Sequence, residues 1–448
     1  MAKLFGTDGV RGKAGEFLDA NTALKLAQSV GIYFKTNSKE KRGKMLLGKD
    51  TRRSGYMIEN ALVSGLTSVG FDVIQIGPMP TPAIAYLTQS MRCDAGIMLS
   101  ASHNPYDDNG VKFFNCHGDK LTGDIEKKIE DIFQNDKLIK KSLQIDKHIG
   151  KAKRINDVIG RYIVSIKSSF PINKNLEKLR IVLDCANGAG YLVAPTILEE
   201  LGAELIVINN TPDGFNINEN CGAMYPQNLA KEVKKVRADI GIALDGDADR
   251  VVIVDENGDT VDGDKLIGAL AVYLKQTNKL ISNNIVATVM SNKALELYLK
   301  KNDMNLIRCD VGDKHVLDTM KKVDSNFGGE QSGHVVFKDF AKTGDGLVTS
   351  LQAMAMMIKN DIKASQAFNP FELSPQIVKS FTVIKKTKLK DIDKLNNITD
   401  ELEKHDIRSL IRYSGTENKI RVLIEGDDRE ILDQYMFKIE KIIKETLC

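Results

Sequence analysis

The chain has no tryptophan, and aromatic residues make up only 6% of its 448 positions. With no basic stripe interleaved by aromatics, a single-strand nucleic-acid binder that stacks bases is disfavoured. An excess of one charge is missing too. The 63 basic and 60 acidic residues are mixed along the chain and leave a net charge of +3. No broad basic face for nucleic acid is therefore expected. No apolar run approaches the roughly 18 residues that suggest a membrane span, so no membrane association is expected. The opening "MAKLFGTDGVRG" lacks the apolar region of a secretory signal. Six cysteines lie scattered without a Cys-x-x-Cys pair, which fits reduced thiols in a cytoplasmic protein.

What remains is the composition of a globular protein, 42% hydrophobic and 27% charged with 10 prolines. It is enough for several sizeable cores. At roughly 150 residues per domain the length implies about three domains, within a range of two to four. Short buried strands alternate with helical patterns: "KMLLGKDT" then "IENALVSGLTSVG", "FDVIQIG" then "PTPAIAYL", "CDAGIMLSASHNP". Such alternation predicts βαβ units and largely parallel sheets. The cycle restarts at "LRIVLDCANGAG" and again at "NNIVATVMSNKALELYLKKN". The charged stretch "DKLIKKSLQIDKHIGKAKRIND" reads as the first linker or a solvated helix. After about residue 367 the pattern changes. "SFTVIKKTK" and "KIRVLIEG" read as alternating strands around an amphipathic helix near 391 to 404. The expected units are 1–155, 156–255 and 256–367, all α/β, and a smaller α+β unit at 368–448.

Five segments could carry chemistry. "LSASHNPYDDNGVKFF" offers Ser100, Ser102, His103 and Lys112, with Pro105 blocking a helix; it is either a reactive-serine loop or a polar turn. "IALDGDADRVVIVDENGD" places Asp245, Asp247 and Asp249 directly after a short apolar run. Three carboxylates on a loop at the end of a strand suit a hard cation such as magnesium. An EF-hand is contradicted by Arg250 at the sixth position, where that loop needs glycine. An aspartate-nucleophile phosphatase remains a rival, because its aspartates also follow a strand. A solvated loop is disfavoured, since three like charges beside an apolar strand call for a cation.

"FGGEQSGHVVF" sets Glu330, Ser332 and His334 among glycines that can aim polar groups into a cleft. It suits vicinal sugar hydroxyls, and equally a turn with a satisfied histidine. "RYSGTENKIRV" groups Arg412, Ser414, Gly415, Thr416 and Arg421. That is either a compact phosphate cradle or a surface turn. "TDGVRG" puts Arg11 in a glycine-flanked turn, and "CDVGDKHV" and "KTGDGLV" read as ordinary turns.

In their order and separation these segments resemble the α-D-phosphohexomutase superfamily across the whole chain. "FGTDGVRG", "SASHNPYDDNGVKFF" and "GEQSGHVVF" look like its bacterial phosphoglucosamine mutase branch. The resemblance implies three related α/β domains and a smaller fourth around a central cleft. It implies that Ser102 is phosphorylated, and that Asp245, Asp247 and Asp249 hold one Mg2+ per chain together with an oxygen of that phosphoserine. Arg11, His103, Lys112 and Arg250 match positions near the transferring phosphoryl group. Glu330 and Ser332 match sugar-hydroxyl contacts, with His334 beside them. Arg412, Ser414, Gly415 and Thr416, supported by Arg421, match the site for the phosphate that is not reacting.

The implied substrate is a hexosamine phosphate. The implied reaction exchanges glucosamine 6-phosphate and 1-phosphate through a sugar 1,6-bisphosphate, which also acts as primer, toward UDP-N-acetylglucosamine and cell-wall precursors. Lys112 and His334 stand as candidates for proton transfer. A phosphoglucomutase or phosphomannomutase of the same architecture is the nearest rival. Asn418 and Lys314 depart from the family pattern, standing where proline and arginine are usual. "NCGAMYPQNL" departs from it at several positions. The oligomeric state stays open between a single chain and a homodimer.

Overall fold

A computed structural model describes residues 4–6, 8–37, 43–385, 387–413 and 418–447. Among these residues four sheets follow one another along the chain. The first joins β1 (Val10–Lys13), β2 (Lys44–Lys49), β3 (Asp72–Pro78), β4 (Ala95–Leu99), β5 (Asp108–Asn115) and β6 (Ala152–Arg154) in the order β1-β5-β4-β2-β3-β6. The second joins β7 (Arg180–Asp184), β8 (Glu204–Ile208), β9 (Ile240–Leu244) and β10 (Val251–Asp255) in the order β10-β9-β7-β8. The third joins β11 (Asn284–Thr288), β12 (Asn305–Cys309), β13 (Phe327–Gly329) and β14 (Val335–Phe337) in the order β12-β11-β13-β14. The fourth, of β15 (Gln376–Thr382), β16 (Arg408–Tyr413) and β17 (Lys419–Glu425), is antiparallel throughout.

The first three sheets share one plan. Parallel strands occupy the middle, and the last of them turns back into an antiparallel neighbour: β4 into β5, β9 into β10, β13 into β14. Strands β4 ("AGIML") and β9 ("IGIAL") are buried at every position, as expected of strands covered on both faces. Each hairpin loop thus leaves the carboxyl end of a core strand, where α/β sheets hold their ligands. The sheets are mixed rather than purely parallel, and that mixture is what creates the loops.

One continuous core runs from Met79, Ile84 and Phe114 of the first unit through Leu183 and Ile253 to Phe327 and Leu351 of the third. Its axis is the helix Gly346–Asn360, whose residues 346–357 are all buried. Asp345 starts that helix by accepting from the amides of Leu347 and Val348, satisfying two amides left free at a helix start. Residues 377–447 have a separate core around Leu402, Ile420 and Ile439.

Two expectations shift. The charged stretch 136–157 is neither linker nor one helix. After the helix Asp136–Ser142, residues Ala152–Arg154 form β6, which pairs in parallel with β3. All three β6 residues are exposed, so only backbone pairing marks the strand. The strand expected within "SFTVIKKTK" begins earlier, at Gln376, and ends at Thr382, because its pairing runs from Glu425 to Lys419 of β17. Among the described residues, no helix is long and apolar enough to cross a membrane.

Candidate active site

Each of the three hairpin loops carries one predicted motif, and each contains one residue with positive φ: Ser102 (53°), Ala248 (58°) and Gly333 (88°). A serine in this conformation is sterically costly and persists only where its surroundings hold it. Here they do. Arg52 has no exposed surface. Its Nη2 donates to the carbonyl oxygens of Ser102 and Asn104, both at 2.9 Å, and its Nη1 donates to those of Asp108, at 3.1 Å, and Pro105. Asp50 accepts from Arg52 Nε at 2.8 Å and from the Ser100 hydroxyl at 2.6 Å. Ser100 Oγ in turn accepts from the Ser102 amide at 2.9 Å. Ser100 therefore shapes the loop, and its hydroxyl is committed inside it.

The Ser102 hydroxyl faces the other way. Its Oγ donates to Asp245 Oδ2 at 2.6 Å, and His103 Nδ1 lies 3.4 Å from that Ser102 Oγ. The two loops meet so closely that a Cβ on Gly246 would sit 2.6 Å from the Ser102 carbonyl oxygen. Only glycine admits that approach. Asn218 adds a third clamp from the second unit, donating to the Ser102 and Asn104 carbonyls at 2.9 and 3.1 Å.

Asp245, Asp247 and Asp249 are buried, with ligand atoms within 4.8 Å of one another. Asp247 Oδ2 accepts from Lys112 Nζ at 2.8 Å and from Thr81 Oγ1 at 2.5 Å. Among the described residues, Asp247 Oδ1 and Asp249 Oδ1 are buried without a hydrogen-bond donor. Buried carboxylate oxygens without donors are costly, and three carboxylates converging with two such oxygens match the all-oxygen donor set of magnesium. The cluster fits that ion. Burial, with Asp249 and Asp247 beside it, holds the Asp245 carboxyl well above the usual carboxylate range. Burial raises Asp249 as well, but Lys112 and His334 outweigh it and hold that carboxyl low.

Lys112, 1% exposed, lies 3.1 Å from Asp8 and 3.5 Å from Asp249 as well as beside Asp247. Burial opposes its charge, yet Asp247, Asp8 and Asp249 prevail and keep the ammonium well above its ordinary pKa. It is placed to neutralise charge, and it cannot serve readily as a base in this arrangement. Arg11 pairs with Asp8 at 2.6 Å, and Arg250 Nε lies 3.9 Å from Asp249. Burial, then Arg250 and Arg11, depress His103 to about 4, so its imidazole is neutral.

His334 is 1% exposed, with Nδ1 3.7 Å from Asp249 and Nε2 accepting from the Gly344 amide at 3.1 Å. Both ring nitrogens face inward. The side chain braces Asp249 and does not enter the cavity, so the expectation that it transfers a proton to sugar has no geometric support here. Glu330 and Ser332 do line a cavity of about 540 Å³ together with His103, Asp245 and Arg250. Glu330 accepts from the Gly312 amide at 3.0 Å. Another cavity, about 890 Å³ and lined by residues such as Lys174, Arg237 and Ile362, holds none of the predicted site residues.

In the fourth unit, Arg412 of β16 lies directly opposite Arg421 of β17. Ser414, Gly415 and Thr416 lie outside the described residues.

Several participants were not singled out from sequence: Asp8, Asp50, Arg52, Thr81, Lys120, Asn218 and Asp313. Lys120 bridges Asp8, at 2.5 Å, to Asp313 of the "CDVGDKHV" turn. Lys314, in the same turn, reaches Glu126 of the first unit at 3.1 Å. Asp8 sat inside a quoted motif. Arg52 had a signal only in retrospect, as one of two adjacent arginines after a strand.

The chain matches four family models in sequence. They are phosphoglucomutase/phosphomannomutase alpha/beta/alpha domain I over residues 2–140, domain II over 160–258, domain III over 262–372, and the C-terminal domain over 380–442. It is 61% identical over 445 residues to a phosphoglucosamine mutase of Aliarcobacter butzleri, covering 99% of this chain and 100% of that one. The figure is 60% for a phosphoglucosamine mutase of Wolinella succinogenes, with 99% of each chain covered.

The fold is similar to a phosphoglucomutase/phosphomannomutase family protein of Burkholderia thailandensis, with TM-score 0.81, 22% identity and coverage of 99% and 97%. It is also similar to an Aspergillus fumigatus N-acetylphosphoglucosamine mutase solved with GlcNAc-6P and magnesium, with TM-score 0.67, 17% identity and coverage of 99% and 97%. Full-length identity of this order, on a chain with all four domains of the fold, shows that it belongs to the phosphoglucosamine mutase family of the α-D-phosphohexomutase superfamily.

Proposed function

We propose that this chain interconverts glucosamine 6-phosphate and glucosamine 1-phosphate, with Ser102 carrying the exchanged phosphoryl group. The observation that carries the assignment of Ser102 is its hydroxyl, aimed at Asp245 from a strained backbone and beside two donorless carboxylate oxygens. Phosphoryl transfer requires in-line positioning and charge neutralisation more than covalent help. In the forward step the Ser102 Oγ–phosphorus bond breaks and a bond from the free sugar hydroxyl oxygen to phosphorus forms, the proton that this hydroxyl loses ending on the departing Ser102 Oγ. The 1,6-bisphosphate turns over in the cleft. Its other phosphoryl then returns to Ser102, whose hydroxyl hydrogen points at Asp245 Oδ2 in the unmodified protein.

Asp245, Asp247 and Asp249 would hold one magnesium ion, which when bound neutralises phosphoryl charge. Lys112 and Arg250 add fixed positive charge from the protein. Neutral His103 lies beside the Ser102 oxygen without adding charge. Glu330 and Ser332 present acceptors and a hydroxyl to the sugar. Arg412, Arg421 and the loop 414–417 receive the phosphate that is not reacting. In this reading the units 1–155, 156–255, 256–367 and 368–448 each contribute one loop to a single cleft. The phosphatase alternative is disfavoured because Asp245 already accepts the Ser102 hydroxyl, leaving that oxygen poorly placed as a nucleophile.

The test is turnover of glucosamine 6-phosphate with and without magnesium and a glucose 1,6-bisphosphate primer, beside mannose and glucose phosphates. Preferred conversion of the amino sugar, and phosphate mapped to Ser102, are expected. Full activity in Ser102→Ala, or net release of inorganic phosphate, overturns the reading.

A further inference from the structure

Three carboxylates line the 540 Å³ cavity: Asp245, Asp262 and Glu330. Asp245 belongs to the cation cluster and accepts the Ser102 hydroxyl. Glu330 accepts the Gly312 amide and lies in the field of the Arg250 guanidinium. Asp262 differs from both. It precedes the helix Gly263–Gln276, and its Oδ1 accepts the Asp264 amide at 2.8 Å. Its Oδ2 accepts from the Gln331 side-chain amide at 3.1 Å. Both donors are neutral, and among the described residues no lysine, arginine or histidine nitrogen stands in ion-pair range of Asp262.

Its position is fixed as firmly as that of the sugar-facing loop. A Cβ on Gly263 would sit 2.0 Å from the Gln331 carbonyl oxygen, so the two backbones touch. Asp262 therefore keeps a constant relation to Glu330 and Ser332. Its charge is felt nearby: burial pushes the Asp264 carboxyl up to about 7, and Asp262 adds to the push.

We propose that Asp262, oriented by Gln331, is the specificity-determining residue that receives the C2 ammonium of glucosamine phosphate. The inference rests on the proposed function and deepens it. A hexose phosphate offers this cavity hydroxyls and a phosphate; a hydroxyl can donate to a carboxylate, and neither group neutralises its charge. An ammonium does, through a charge-assisted hydrogen bond. A hydroxyl at C2 leaves the carboxylate without its cation, so discrimination arises from the difference between the two states.

The experiment compares kcat/KM for glucosamine 6-phosphate and glucose 6-phosphate in the full-length, magnesium-supplied protein and in Asp262→Asn and Asp262→Ser. Both replacements keep an oxygen able to cap the helix. The preference for the amino sugar is expected to fall about tenfold in both variants. A preference within about twofold of the parent overturns the assignment, whether or not absolute rates decline, because a purely structural effect lowers both substrates together. A parent protein inactive on glucosamine 6-phosphate sinks the proposed function itself, and that failure is read before any variant is compared.

Discussion

The guanidinium of Arg52 donates to the carbonyl oxygen of Ser102 at 2.9 Å, with no exposed surface on the arginine. Ser102, the proposed phosphoryl carrier, is thus aimed through its own backbone. Arg52 touches four carbonyls of one loop, and Asp50 fixes its orientation. The positive φ of Ser102, which turns Oγ toward Asp245, is the conformation this network holds.

Arg52→Ala is expected to destabilise the protein by about 3–5 kcal/mol, because it leaves Asp50 buried without its cation. Asn218→Ala removes the second donor to the Ser102 carbonyl at lower cost, and it serves where Arg52→Ala fails to fold. Its kcat should fall with KM for the sugar phosphate nearly unchanged, since the proposed sugar contacts, Glu330 and Ser332, lie on another loop. Steady-state kinetics of Asn218→Ala decide the point. A raised KM with unaltered kcat contradicts the aiming role.

Lys112 sits among Asp8, Asp247 and Asp249, and these carboxylates hold it protonated. Lys112→Met should lower kcat by about 10²–10³-fold, the range seen when one charge-stabilising donor is lost. Were Lys112 a base, its ionisation would shape the parent's pH–rate profile. The expected profile shows no limb between about pH 6 and 9 that disappears in Lys112→Met. Recording both profiles separates neutraliser from base.

The residues that the structure brings together around Ser102 were legible in the sequence as motifs of residue type and spacing, and the role of each came from the family resemblance. Ser102, His103, Asp245, Asp247 and Asp249 all sit on loops that leave short apolar strands. The supporting groups were not legible. Arg52 and Asn218 act on backbone carbonyls, and a carbonyl leaves no trace in residue identity. Arg53, its neighbour in sequence, is exposed, and nothing local separates the two. Strand β6 escaped notice because its exposed residues carry no alternation. The helix Gly346–Asn360 offers little amphipathic contrast because its first twelve residues are all buried. His334 was legible as part of a motif, while its direction, toward Asp249 and Gly344, is set by packing.

Asp247 Oδ1 and Asp249 Oδ1 lack donors, so magnesium should bind the folded chain and stabilise it. A ligand at a hundred times its dissociation constant adds about 2.7 kcal/mol. Thermal melts should therefore rise with the logarithm of magnesium concentration, while Asp245→Asn should weaken that dependence. Chelation should abolish mutase activity, and added magnesium should restore it. A melting temperature indifferent to magnesium in the parent protein contradicts the assignment.

Asp264 supplies a prediction about pH. It has no exposed surface, and its Oδ2 accepts from the Asn292 amide at 2.7 Å. Its Oδ1 and the hydroxyl of Ser291 are both buried without a hydrogen-bond partner among the described residues. Burial pushes the carboxyl up to about 7, so between about pH 4 and 7 the folded chain keeps a proton that the unfolded chain releases. Stability then falls as pH rises through that window and levels off above it, by an amount on the order of 4 kcal/mol. Asp264→Asn keeps an acceptor for the Asn292 amide, and its NH2 can donate to Ser291 Oγ without ever ionising. The variant should match the parent near pH 4 and exceed it near pH 8, with a flatter profile between. The Asn292 side chain also donates through Nδ2 to the Ser374 carbonyl oxygen and accepts at Oδ1 from the Ser374 amide, near the start of the fourth unit. The loss in the parent should therefore appear first as faster hydrogen exchange around residues 289–293 and 374. Denaturant melts at the two pH values decide it: equal gaps between variant and parent at pH 4 and pH 8 would remove Asp264 as the source.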